Sequence, residues 1–133
     1  MIIEIIIFII MILYAWIASF TLHELFHIKS QGLSAEGKIN VYKNGMTCIA
    51  DKVKNEHLYE LSGGLYSGIL HIIIGLCAFY YSAWPIYVPM ITLGMINLTY
   101  GFWERYKGPE LRYKIYLWTL SAMIVFWLIY FSW

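Results

Sequence analysis

Apolar residues in this chain come in long unbroken runs, not in the alternation of a half-buried strand or the three-to-four-residue spacing of a surface helix. The first run is "IIEIIIFIIMILYAWIASF", in which Glu4 is the only charged residue. A bilayer core takes about 20 apolar residues per helical span. On that measure the pattern predicts four transmembrane helices, at roughly residues 2–28, 58–82, 86–105 and 112–132. Pro85 and Pro89 are read as punctuating the short turn into the third span, where a missing N–H costs least. Gly108-Pro109 breaks the chain before the fourth.

The one long polar interruption, residues 29–57, has a pattern of its own. "KINVYKNGMTCIAD" sets Asn44-Gly45 between two β-prone runs, a strong hairpin signal because both residue types tolerate positive φ. The expected fold is therefore an all-α membrane protein of four transmembrane helices, with a β-hairpin at about residues 38–50 between spans one and two. All 133 residues are read as one integral membrane domain, without linker or repeat.

Composition agrees with the pattern. Hydrophobic residues make up 61% of the chain and charged residues 13%, far below the roughly 25% of soluble domains. A net charge of +1 argues against a nucleic-acid partner. Lys29, Lys38, Lys43, Lys52 and Lys54 lie in the first loop, and Arg105, Lys107, Arg112 and Lys114 flank the last. With four spans both loops fall on one face. The positive-inside rule makes that face cytoplasmic and both termini external, in a multi-pass protein of what reads as a prokaryotic cell membrane. Cys48 and Cys77 are too few for a disulfide framework. The N-terminal run lacks a basic leader and exceeds a signal-peptide core, so it is read as a retained span.

The first span ends in "HELFH", residues 23–27. On a helix His23 and His27 share one face a turn apart, so both imidazoles can bind one ion. Glu24 then sits beside the metal, where it can take a proton from the attacking water and return it to a leaving amine. Ionisable groups inside a span cost roughly 2.5–3.5 kcal/mol each on insertion scales, so three together need compensation. The alternative is a chance cluster of interfacial polar residues. The expected cofactor is one Zn2+ per chain.

A catalytic zinc usually has three protein ligands and an open position. Glu104, closing the third span at the depth of the motif, is the expected third ligand, with Glu60, Asp51 and His71 as alternatives. At about 1.5 Å per residue, His71 lies roughly 20 Å into its span, well below the motif, and reads as a satisfied interior histidine. Gly94, Asn97, Gly101 and Glu104 form one stripe of the third helix, where small residues let helices approach and Asn97 needs a partner. An interfacial glutamate paired with Arg105 or Arg112 is the structural alternative for Glu104. Gly64 and Gly68 in "SGGLYSGILHIIIG" are read as helix packing, and the fourth span, uncharged over "YLWTLSAMIVFWLIYFSW", likewise.

Together "HELFH", the hairpin loop, "LSGGLYSG" and "NLTYGFWE" resemble the site-2 protease family of intramembrane zinc metalloproteases, over roughly residues 14–106. That family has a re-entrant β-hairpin after its first motif span and an Ala-Gly-Pro-like stretch to which Ser62-Gly63-Gly64 is similar. A later span carries an Asn, matched by Asn97, and a Leu-Asp-Gly whose aspartate is the third ligand; Glu104 falls one residue short of it. Leu-Asp-Gly itself is absent, and Asp51 is the chain's only aspartate.

The resemblance implies hydrolysis of a peptide bond in a transmembrane protein or peptide near the cytoplasmic face. The substrate helix must unwind, and an edge strand of the hairpin would hold it extended by β-addition. Asn97 would bind its backbone and Tyr100 would stabilise the oxyanion. The alternative is a relative of the same fold that binds zinc or captures substrate without cleaving. A di-iron hydroxylase needs many clustered histidines, and only two of the four here are clustered. The lipid bilayer is the remaining partner, and an oligomer is compatible with the chain.

Overall fold

The computed structural model describes residues 2–42, 45–104 and 109–133; for residues 16, 42, 45, 46, 104 and 109–113 it describes the backbone alone. Among these residues the element order is α1 (Ile2–Lys29), β1 (Gly37–Tyr42), β2 (Gly45–Ala50), α2 (Glu56–Tyr80), α3 (Trp84–Glu104) and α4 (Pro109–Ser132). Helix boundaries lie within a few residues of those expected from the apolar runs.

Isoleucine is a middling helix former in water, yet α1 is built largely from it. In hydrocarbon the backbone has no partner except itself, which makes a helix the available solution. Ile2, Ile3, Ile9 and Ile10 are all more than half exposed, as side chains that face lipid would be. Among the described residues, three helical segments are long and apolar enough to cross a membrane: α1, α2, and the Lys114–Ser132 part of α4. Helix α3 is not in that group. It packs against all three other helices, through glycines and Asn97 as well as the buried side chains of Tyr87, Met90 and Ile96.

Helices α2 and α3 are antiparallel and very close. A Cβ on Gly64 would overlap the Gly101 Cα and the Asn97 carbonyl, and one on Gly68 would lie 2.9 Å from the Gly94 carbonyl. This is the small-residue packing expected of Gly64 and Gly68. Between the two helices the chain reverses through Ser82, whose φ of 55° is left-handed. The Ala83 N–H donates to Ala78 O (3.0 Å) and the Ser82 N–H to Phe79 O (2.9 Å), the two bonds of a Schellman cap. Because α3 begins at Trp84, Pro89 lies inside the helix and not in the turn assigned to it from sequence. Its missing N–H leaves Pro85 O without an intrahelical donor.

Helix α4 packs on α3. Trp127 Nε1–H donates to Thr92 Oγ1 (2.8 Å), Thr119 to Thr99 (3.1 Å), and Met123 and Trp127 are buried with Tyr87.

The hairpin forms, in a register running from Gly37↔Ala50 to Tyr42↔Gly45. Gly45 is thus a paired strand residue, one position later than a central turn residue would be. Lys43 and Asn44 lie outside the described residues. A Cβ on Gly37 would meet Ile49 O (2.6 Å) and the Ile28 side chain (3.0 Å), so the sheet rests directly on the end of α1.

Candidate metal centre

Helix periodicity places Ser19, His23 and His27 on one face of α1, and all three are buried against α2 and α3. The two imidazoles meet edge to face with their Nε2 atoms 3.0 Å apart. Two nitrogens bound to one zinc at about 2.0–2.1 Å in a tetrahedral arrangement stand about 3.3 Å apart, so the pair fits a shared ion with little movement.

His27 is oriented from its other nitrogen, which faces the Tyr59 carbonyl. A carbonyl can only accept, so Nδ1 carries the proton and the lone pair of neutral His27 is on Nε2. A ligating histidine is commonly fixed in this way. The ring itself lies over Gly63, where a Cβ would overlap it. Ser62, fully buried beside it, places its hydroxyl 3.0 Å from Tyr59 O and 3.2 Å from Phe26 O, joining α2 to α1 at the motif.

One turn before His23, Ser19 and Asn97 form a reciprocal pair. The serine donates to Oδ1 (3.0 Å) and accepts from Nδ2 (2.7 Å). Asn97 is thereby a tie between α1 and α3, directly below the histidines. The Tyr100 ring is 5.7 Å from that of His23, so this residue does border the pair. Glu24 is partly buried, on the adjoining face of α1.

The possible third ligands separate. His71 is deeply buried and donates from Nδ1 to Ser67 O at 2.6 Å. It lies eight residues along α2 from the glycine under His27, about 12 Å by helical rise. Asp51 is exposed, and Glu60 is partly buried in the second turn of α2. The Glu104 side chain lies outside the described residues. Among the described residues no group of three His, Cys, Asp or Glu comes together to hold a metal.

Two residues gave little signal in the sequence. Gln31, the chain's single glutamine, is buried, and its Oε1 accepts from the Lys54 N–H (2.8 Å) and the Asn55 N–H (2.9 Å). Asn55 in turn caps α2, accepting from the Leu58 N–H at 3.0 Å. The loop that enters α2 is thus fastened to the end of α1. Tyr59 is one of 12 tyrosines, and nothing in its sequence context distinguishes it.

A groove of about 490 Å³ runs between α1 and β1, lined by Leu25, Ile28, Ala35, Lys38, Ile39 and Asp51 among others. At 100° per residue Leu25 and Ile28 are on the side of α1 away from the histidines, with Glu24 between. Compared with family models, curated proteins and solved structures, the chain matches none.

Proposed function

We propose that this protein is a divergent intramembrane zinc metalloprotease, resembling the site-2 proteases, in which His23 and His27 hold the metal, Glu104 completes the set and Glu24 moves the proton. The observation that carries this reading is the 3.0 Å approach of two buried Nε2 atoms, one of them oriented by a backbone carbonyl. A bound zinc supplies Lewis acidity towards the scissile carbonyl and a water molecule. Glu24 accepts the proton of the attacking water and delivers it to the departing amine. Tyr100, beside His23, donates to the developing oxyanion. In this reading α3 is a fourth crossing, enclosed by the other three, the loops lie at the cytoplasmic face and the hairpin edge holds the unwound substrate.

Purified protein should contain about one zinc per chain, and His23→Ala or His27→Ala should each remove it. Glu24→Gln should keep the metal while hydrolysis falls by about 10²–10⁴-fold. Full zinc retention in the double histidine variant would refute the site, and unchanged cleavage by Glu24→Gln would remove that residue from the mechanism. Zinc bound with no cleavage of any transmembrane substrate would favour the non-catalytic relative.

A further inference from the structure

Tyr59 reaches both the hairpin and the histidine pair. Its hydroxyl donates to the Cys48 carbonyl of β2 at 3.2 Å, and the Cys48 thiol lies 3.2 Å from the same oxygen. Its ring stands 5.3 Å from the ring of His27. Its carbonyl accepts from His27 Nδ1 and lies within hydrogen-bond distance of Ser62, which also reaches α1. A single residue in the first turn of α2 thus touches the middle of strand β2 with one end and orients an imidazole with the other.

We propose that Tyr59 is a positioning residue that couples the hairpin to His27, so that fixing the imidazole on a metal ion also fixes strand β2. The inference rests on the metal-binding reading above and adds a partner to that site: the strand that would face the substrate. Its physical basis is reciprocity. If a docked hairpin holds Tyr59, and Tyr59 holds His27 with its Nε2 presented, then metal binding must stabilise the docked hairpin by the same factor. Cys48 pairs with Ile39, so the effect passes from β2 to β1 through the ladder.

The test uses the full chain in lipid nanodiscs, with Co2+ as the probe. The visible spectrum of the cobalt reports binding at the histidines, and hydrogen exchange of residues 45–50 reports hairpin docking. In the wild-type protein, Co2+ should slow exchange of the β2 amides about three- to tenfold, the range of one hydrogen bond made or lost. Tyr59→Phe removes the hydroxyl alone. It should bind cobalt with a wild-type spectrum, show faster β2 exchange without metal, and lose the metal-dependent protection. Protection that persists in Tyr59→Phe overturns the proposal. So does wild-type protein that binds cobalt with no change in β2 exchange. Wild-type protein that binds no cobalt overturns the metal reading itself, and the coupling falls with it. The wild-type spectrum of the variant shows that its fold and metal pair are intact, which separates loss of coupling from loss of structure.

Discussion

At the scale of single residues, the candidate centre depends on glycine as much as on histidine. Gly63 lies directly beneath His27, and the smallest side chain at this position would occupy the volume of the ring. Gly63→Ala should leave the helices formed but push the imidazole aside. Overpacking of this kind costs about 1–3 kcal/mol, and displacement of the ring transfers it to the metal: zinc affinity should fall by about five- to 150-fold. Unchanged affinity would show that the ring has room to turn. Glu104 is the riskier residue. Glu104→Ala should weaken zinc binding sharply, Glu104→Asp should retain part of it, and His71→Ala should leave the metal bound because His71 is committed to Ser67. The reverse pattern would move the metal deeper into the helix bundle. The motif could be read from a spacing of four residues, because one helix carries both imidazoles. The Tyr59 carbonyl that orients His27 could not, since a backbone group 32 residues away leaves no trace in residue type.

At the scale of elements, apolar runs set helix positions closely because a lipid-facing helix must be apolar over its whole length. The ends of helices follow other rules. The α2–α3 turn has Ser82 at a left-handed position usually taken by glycine, where a Cβ costs about 1 kcal/mol. Ser82→Gly should therefore raise the thermal midpoint by a few degrees, and Ser82→Val, β-branched and less tolerant of positive φ, should lower it. A neutral or destabilising glycine would mean that the serine side chain contributes more than the backbone strain removes. The hairpin illustrates the same division. Alternating β-prone residues around Asn-Gly announced two strands, but not the register that pairs Gly45 with Tyr42 nor the packing of β2 on α1 and on Tyr59.

At the scale of the whole molecule, all nine basic residues lie in or flank the two loops that four spans would put on one face. The proposed four-span arrangement with cytoplasmic loops rests on that asymmetry. In a background lacking both native cysteines, Ser132→Cys should react with an impermeant maleimide in intact cells, and Ser34→Cys only after the membrane is opened. Labelling of Ser34→Cys in intact cells would invert the orientation and move the candidate centre to the outer face. Helix α3 is the element on which this arrangement turns. Among the described residues it does not rank with the other three as a long apolar segment, and its small and polar residues meet protein: α2 closes on Gly94 and Gly101, Ser19 of α1 takes Asn97, and Trp127 of α4 takes Thr92.

What the amino-acid sequence determined alone was everything governed by local or bulk solvation: the helical runs, the hairpin between the first two, the separation of charge, and the two histidines on one face of α1. Each follows from the period of a helix or strand, or from the cost of placing a residue in lipid, and both can be computed without knowing what the residue touches. Tertiary structure decided which polar groups found partners. Asn97 went to Ser19, His71 to Ser67, Gln31 to the start of α2, and Tyr59 to both Cys48 and His27. Buried donors and acceptors must be satisfied, but the rule names no partner. That choice depends on how closely glycine lets two helices approach and on which side chain is then within about 3 Å, a distance fixed only when the helices are packed.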